Sequence, residues 1–389
     1  MPEWKLTDRI DLTRSEESSM DGMEEFSHKL MVKAAEHSDN GEFCISPVSV
    51  SIYLGMLANA TSGECRDEIL QALGTQNIDE LNILSSKLLR YLPCDDNGSS
   101  LAITNSFWVA KGINATKDFV STAAYYYNAP VESVDFHKEN TITAINKWVY
   151  DNTKGKIPGI FDFYWEEYKD TKMVGASTVY FKGDWESQFP ESETVSGKFK
   201  TPSGVVETQM MHQTLWGAPY FENDLLQYLR LDFEKDANTM EFFLPAENMD
   251  MLEFVKYLTV SKMTEIRESF REDTDLYNVI LSMPSFKKES NSRILDILKE
   301  INMPSLEKAD LSPMGIGEMQ IDPIHKVSIK VDETGAELAA VTANPPGLIL
   351  GGYEADKKVT VDLDRPFVYL IRNRITGAIL MTGILNDPG

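Results

Sequence analysis

The sequence predicts a single domain of the α+β class. Helical patterns dominate the first 150 residues and strand patterns the remainder, with strands threaded through both parts. The segment 47–60 is apolar on nearly every side, which is typical of a helix buried in a thick core. Because neither an internal repeat nor a linker interrupts the 389 residues, we treat 1–389 as one domain, with a polar, unordered stretch at 1–20.

The predicted helices begin with an amphipathic segment at 23–36, whose apolar face carries Phe26, Leu30 and Ala34. The central helix at 47–60 follows Ser46 and opens with Pro47, which are residue types favoured at an N-cap and at a first helical position. Further helices are predicted at 64–72, 78–91, 117–128, 140–152, 249–257, 259–266 and 293–299.

The strand patterns include one long apolar segment at 171–181 without clean alternation, which indicates a strand covered on both faces. The last two strands are joined by a turn at 373–377. The remaining predicted strands are 42–45, 101–109, 198–200, 207–211, 218–221, 226–231, 239–244, 279–286, 327–331, one that starts at 359, 367–372 and 378–384.

The charge balance excludes several classes of partner. The chain has 37 basic and 61 acidic residues, a net charge of −24. Binding to nucleic acid, to heparin-type polysaccharide or to an anionic membrane needs clustered lysine and arginine, and no such cluster is present in the sequence. We expect a monomer whose acidity serves solubility.

Cysteine usage and the N-terminal sequence bear on the compartment. Cys44, Cys65 and Cys94 are odd in number and widely spaced, so they predict neither a disulfide framework nor a zinc site. The first 20 residues contain no apolar segment typical of a signal peptide, and no stretch of 18 apolar residues occurs. We expect a cytoplasmic protein, with secretion as the alternative if the chain was trimmed or is exported non-classically.

Motifs for catalysis and cofactor binding are missing from the sequence. There is no GxGxxG, no GxxxxGK[ST] and no GxSxG motif, and the five histidines lack metal-ligand spacing. We interpret His325 as a structural histidine. The sequence therefore predicts no enzyme activity, no metal and no cofactor.

The segment 325–366 is the least typical of a compact domain. Val327, Ile329 and Val331 alternate as in a half-buried strand, and strand character resumes at Val359. Between them lie about two dozen residues without helical periodicity, rich in alanine and containing PPG and LIL. Such a loop is either an insertion without function or a peptide presented to a partner.

Five groups of short motifs occur in order along the chain: FCISPVSV from Phe43; NKWV and NTKGKI from Asn146 and Asn152; VYFKGDW from Val179; HK and VDETG from His325 and Val331; and DRPFVYLIR from Asp364. Together they resemble the serpin family of protease inhibitors over residues 23–384. Without a visible signal peptide, the chain is most similar to the inhibitory, ovalbumin-like type.

The resemblance implies a fold of three β-sheets with eight or nine helices and an exposed reactive-centre loop, here 333–358. It also implies a metastable native state. A target serine protease attacks the loop and forms a covalent acyl complex. The loop then inserts as a new strand into the central sheet, and the protease is carried away and distorted before it can deacylate.

The resemblance also assigns residues to a hinge, which begins at Glu333. Gly335 is expected to supply flexibility, and the small residues after it can slide between strands. Alternate positions of an inserted strand, from Ala336 to Thr342, would face the core, which leaves the charge of Glu337 on the outward side. The hinge residues are Glu333, Gly335, Ala336, Glu337, Leu338, Ala339 and Ala340.

The reactive bond is expected 16 residues after Glu333, at Ile349, or one residue earlier. Counting back from Pro366 gives later positions. All candidates are apolar or aromatic, which favours a chymotrypsin-like or elastase-like target over a trypsin-like one. The candidates are Leu348, Ile349, Leu350 and Tyr353.

The resemblance further assigns a region where the sheet opens: Ser46, Ser49, Ser177, Trp185 and His325. Ser177 stands where the family usually has asparagine, and Leu338 where it usually has alanine. Pro345 and Pro346 lie near the end of the inserting segment, and proline is poor in a central strand. These departures keep open a non-inhibitory binding or storage protein on the same fold. Inhibition of cysteine proteases is a further alternative.

Overall fold

The computed structural model describes residues 10–38, 40–96, 99–161, 165–234, 237–272, 277–321, 323–337 and 357–389. These residues form nine α-helices and three main β-sheets, which confirms the predicted α+β fold. The helices are α1 Arg14–His37, α2 Pro47–Ala60, α3 Gly63–Ala72, α4 Ile78–Tyr91, α5 Lys117–Tyr127, α6 Glu139–Asn152, α7 Met251–Tyr257, α8 Val260–Glu272 and α9 Leu295–Glu300.

The strands up to β10 are β1 Phe43–Ile45, β2 Cys94–Asp96, β3 Ser99–Ala110, β4 Val131–Val134, β5 Met173–Asp184, β6 Val195–Thr201, β7 Gly204–Ala218, β8 Tyr220–Glu222, β9 Leu226–Asp232 and β10 Asn238–Pro245. The later strands are β11 Tyr277–Pro284, β12 Phe286–Arg293, β13 Ala309–Asp310, β14 Glu318–Met319, β15 Ile324–Val331, β16 Gly335–Glu337, β17 Lys357–Asp362, β18 Phe367–Asn373 and β19 Ile379–Leu385.

The strands assemble into sheets that mix distant parts of the chain. Sheet A has the order β12-β15-β16-β5-β3-β2, with β4 also paired to β3. Sheet B has the order β1-β19-β18-β10-β9-β8, and sheet C the order β17-β11-β7-β6. β13 and β14 form a separate small hairpin.

Helix α2 lies at the centre of the molecule, as its all-round apolar pattern predicts. It contacts β5 of sheet A and β19 of sheet B, and Ile52, Leu54 and Leu57 are fully buried. The Ser46 hydroxyl accepts a hydrogen bond from the Ser49 backbone and caps the helix. The start of α2 therefore lies beneath sheet A.

Helix α6 covers the opposite, outer face of sheet A. Ile145 and Val149 of this helix form a buried cluster with Trp108 of β3 and Ala176 of β5. Sheet A thus has a core face towards α2 and an outer face that is partly covered by α6.

Helix α1 begins earlier than predicted, so the expectation of an unordered stretch at 1–20 is wrong for the residues from Arg14 onward. Thr13 and Glu16 form a reciprocal capping box, which is a recognisable signal in the sequence TRSE. The Glu16 carboxylate is buried and lies 2.7 Å from the Lys87 ammonium. This tertiary contact anchors the first turn to α4.

The structure also corrects the region after residue 279. The predicted strand 279–286 is two strands, β11 and β12, and the predicted helix 293–299 begins only at Leu295. β12 is an edge strand of sheet A and carries KKESNS, a polar sequence without the alternation expected of a half-buried strand. Its pairing with β15 determines its conformation.

Candidate functional site

The short strand β16 lies between β5 and β15 at one end of sheet A. Ala336 pairs with Gly183 of β5 and with Val331 of β15, and Glu337 pairs with Lys182 and Lys330. The Ala336 side chain is 1% exposed and belongs to the main core. The structure therefore places the first part of the predicted hinge inside the sheet, with Ala336 on the core face.

Beyond β16, the neighbouring strands β5 and β15 are not paired with each other. Residues 173–181 of β5 pair with β3 on their far side, and residues 324–329 of β15 pair with β12 on theirs. Within the described ranges, no strand pairs with either segment on the side where they face each other. We call this unpaired stretch between β5 and β15 the open slot.

A cleft of about 110 Å³ lies at the far end of the open slot. Its lining includes Ser177 and Thr178 of β5, Lys326 of β15, Tyr53 of α2 and Val149 of α6. The slot is thus bordered by strands on two sides and by helices on both faces. Its two strand edges carry backbone groups that can accept a further strand.

Gly335 has a structural role beyond the flexibility expected of a hinge. A side-chain Cβ at this position would overlap the carbonyl oxygen of Gly183 and lie 2.8 Å from the Cα of Asp184. Glycine is required because β16 and β5 approach so closely, and not only because a hinge needs flexible backbone. Sequence reasoning did not single out Gly183, although it lies within the VYFKGDW motif.

Trp185 holds the turn that precedes β16. Its indole Nε1–H donates to the Asp332 carbonyl oxygen at 2.9 Å, and its backbone N–H donates to the Thr334 carbonyl oxygen at 2.8 Å. The indole is buried and stacks on Phe233 with 4.8 Å between the ring centroids. Trp185 therefore lies at the hinge and not beside the other four residues predicted for the sheet-opening region.

Side chains of the turn add further contacts. The Glu333 carboxylate accepts a hydrogen bond from the Thr194 hydroxyl at 2.8 Å, and its carbonyl oxygen accepts one from Phe189 N–H at 2.9 Å. Burial opposes ionisation of Asp332, but the Lys330 ammonium and the hydrogen bonds from Thr334 hold the pKa of this carboxyl below its ordinary value. These contacts hold the turn that precedes β16 in one conformation.

The remaining four predicted residues of the sheet-opening region meet beneath the middle of sheet A. The Ser46 backbone N–H donates to His325 Nε2 at 3.0 Å, and the Ser49 hydroxyl donates to the Ser177 carbonyl oxygen at 3.0 Å. These contacts connect the start of α2 to β15 and to β5, the two strands that border the open slot.

Two groups in this cluster have unusual environments. Burial lowers the pKa of His325 to about 4, so the ring is neutral near pH 7 and Nε2 acts as an acceptor. The buried Ser177 hydroxyl has no hydrogen-bond partner within the part of the chain that the structure describes. A donor or acceptor that enters the slot here would find a polar group to bind.

Several predicted site residues lie outside the described residues. They are the four candidates for the reactive residue, Leu348, Ile349, Leu350 and Tyr353, and the hinge positions Leu338, Ala339 and Ala340. Among the described residues, no group of three or more His, Cys, Asp or Glu side chains could hold a metal ion. No described helix has the length and apolar character needed to span a bilayer.

Comparison with known proteins decides the family. A family model described as "Serpin (serine protease inhibitor)" matches residues 21–388. The chain belongs to the serpin family. The family is described as one of protease inhibitors and not of enzymes, and the prediction that this chain is not an enzyme is confirmed on that basis.

Individual relatives of this serpin are distant but cover nearly the whole chain. An uncharacterized serpin-like protein of Thermococcus kodakarensis is 29% identical over 96% of this chain and 86% of its own length. The leukocyte elastase inhibitor of Homo sapiens is 27% identical over 93% of this chain and 97% of its own length. The crystal structure of native tengpin, a thermophilic serpin, has a TM-score of 0.83 at 26% identity and covers 98% of this chain and 96% of that one.

Proposed function

We propose that this serpin is a suicide-substrate inhibitor of a serine protease with chymotrypsin-like or elastase-like specificity. The observation that carries the proposal is the open slot with β16 already at its entrance. A loop cleaved after its apolar segment can continue β16 along the slot. Each residue added pairs backbone groups of β5 and β15 that no described strand satisfies.

The register of β16 predicts where each loop residue would go. Since Glu337 pairs with Lys330 and Lys182, continuation places Leu338 between Ile329 and Phe181. The same count places Thr342 between His325 and Ser177. A threonine hydroxyl entering there meets the buried Ser177 hydroxyl, so insertion would supply that group with a partner.

In the same register, the two prolines would lie at the end of the inserted strand and not in its centre. Ala343 would pair with Ile324, the first residue of β15, and Pro345 and Pro346 would lie beyond that strand. They would face only the start of β5, at Val174 and Met173. Proline is tolerated at such strand ends because fewer ladder hydrogen bonds are lost there.

The proposed specificity rests on the apolar candidates for the reactive residue, with Ile349 first by the count from Glu333. A relative that is named as an inhibitor of leukocyte elastase supports the same class of target. Leu338 favours the second candidate function, a non-inhibitory serpin, because its side chain must enter a layer between Phe181 and Ile329 that a smaller residue would fill more easily.

The test is incubation with active chymotrypsin and elastase. We expect an SDS-resistant complex of serpin and protease, and mass spectrometry of the released C-terminal fragment should show cleavage after one of the four candidates. Cleavage of the loop by every serine protease tried, without any covalent complex, would contradict the inhibitory proposal. If the cleaved chain also gained no thermal stability, the non-inhibitory function would be favoured.

A further inference from the structure

The outward face of sheet C carries two large apolar side chains where polar residues are expected. Trp216 of β7 is 53% exposed and Ile280 of β11 is 48% exposed. The inward residues of the same strands, Leu215 and Val279, are buried in the core. The alternation therefore places Trp216 and Ile280 towards solvent, a position that the core does not explain.

These side chains lie on the same face of sheet C. Ile280 pairs with Thr214 on β7 and with Thr360 on β17, and Trp216 is two residues beyond Thr214 on the same side of its strand. Lys358 is the next outward residue of β17 and is also exposed. We call the surface formed by Thr214, Trp216, Ile280, Lys358 and Thr360 the Trp216 face.

The Trp216 face adjoins the end of the reactive-centre loop. β17 is the strand into which the loop leads, and its first residue, Lys357, pairs with Tyr277 of β11. Tyr277 also pairs with Ala218, two residues beyond Trp216. Hence Trp216 lies at the same end of sheet C as the loop exit.

The length of the tether limits how far a bound protease can be from this surface. Tyr353 and Leu348 precede Lys357 by four and nine residues. Nine extended residues span at most about 30 Å, which is close to the diameter of a small domain. A protease engaged at any of the four candidate bonds is therefore held within about 30 Å of the start of β17, which is close enough to contact sheet C.

We propose that the Trp216 face is a second contact surface for the protease that attacks the loop; this rests on the proposed function. Tryptophan is among the residues that contribute most at protein interfaces when they are covered by a partner. Lys358 adds a positive rim in a chain of net charge −24. The matching partner is a serine protease with an apolar patch edged by carboxylates beside its active-site cleft.

The experiment measures non-covalent binding to chymotrypsin and elastase whose active-site serine is replaced by alanine. We expect Trp216→Ala to raise the dissociation constant about tenfold for the protease that fits the face. Lys358→Glu should raise it about threefold, mostly through a slower association rate. The matched control is Val205→Ala, since Val205 is 62% exposed at the far end of the same strand, and it should change binding less than twofold.

Inactive proteases separate this proposal from the inhibitory one, because binding is measured without acylation or insertion. If the wild type forms no covalent complex with active protease, the dissociation constants still test the face. A Trp216→Ala variant that folds and binds both proteases within twofold of wild type would overturn the proposal. A wild-type dimer in solution that Trp216→Ala dissociates would overturn it too, by assigning the face to self-association.

Discussion

The Cα of Gly335 lies so close to the backbone of Gly183 that an added Cβ would overlap the Gly183 carbonyl oxygen. This contact occurs where the hinge enters sheet A. The contact involves backbone on both sides, so no side-chain rotation can relieve a larger residue. At the entrance of the open slot, β16 can therefore pair with β5 without strain only if residue 335 is glycine.

Replacing Gly335 with alanine should expel β16 from sheet A. The added Cβ would overlap Gly183 and Asp184, and overpacking of this kind costs about 1–3 kcal/mol. We expect faster hydrogen exchange at the backbone amides of 335–337, measured by mass spectrometry. Gly317→Ala is the control, because a Cβ at Gly317 meets no atom within 4 Å. Unchanged exchange in Gly335→Ala would show that β16 tolerates a side chain.

Ala336→Arg should convert the inhibitor into a substrate. The Ala336 side chain lies in the core, and an arginine there would bury an unpaired charge, which costs several kcal/mol. We expect the stoichiometry of inhibition to rise more than tenfold while the rate of loop cleavage stays the same. Glu337→Gln, at the next position, which the sequence pattern predicts to be outward, should leave the stoichiometry nearly unchanged. Retained inhibition by Ala336→Arg would refute the insertion mechanism.

Leu338→Ala should speed insertion. On insertion, the register of β16 would place Leu338 between Ile329 and Phe181, two side chains that already belong to the core. Removing the bulk at that point should raise the rate of complex formation at least about fivefold, since overpacking costs about 1–3 kcal/mol. Val341→Ala on the outward side should have little effect. Stopped-flow measurement with a fluorescent loop label follows the rate, and a slower Leu338→Ala variant would contradict the register.

His325 should make stability depend on pH. Its pKa is about 4 in the folded protein and 6.5 for the unperturbed side chain, so between these values the unfolded chain binds the additional proton. Stability from this residue is complete above pH 6.5 and is lost as the pH falls towards 4. The loss amounts to roughly 3 kcal/mol, from 1.36 kcal/mol for each pKa unit.

Thermal unfolding of wild type and His325→Asn between pH 4 and pH 7.5 measures this effect. The carboxylates titrate in both proteins, so their contribution cancels in the difference between the two curves. We expect the wild type to lose more stability than the variant as the pH falls below 6.5. Parallel curves would mean that His325 is protonated without cost in the folded protein.

The sequence predicted the parts of the fold that depend on periodicity. The apolar helix at 47–60 is the buried α2, and its N-cap is Ser46, as the residue types indicate. The strand 171–181 is β5 with little change in its bounds. Where the pattern is polar, as in β12, the prediction failed because pairing with a neighbour decides the conformation of an edge strand.

The predicted residues of the sheet-opening region divide in the same way. Short motifs identified His325 and Trp185 as candidates. No local sequence pattern indicates which of the predicted residues contact each other in the fold. His325 binds the start of α2, some 280 residues earlier, through the backbone of Ser46. Trp185 binds the turn before β16 instead. Such contacts are decided by how distant strands are ordered in the sheet.

The sequence by itself predicted an apolar segment between two strands, preceded by small residues whose alternation suits a sheet interior. The tertiary structure decided that β16 lies between β5 and β15 at one end and that these two strands are unpaired with each other beyond it. It also decided that Gly335 needs its lack of a side chain because of Gly183, and that Trp216 lies beside the loop exit. The physical reason is that alternation is a property of one strand, whereas a gap, a close approach and a shared surface are properties of strands far apart in the chain.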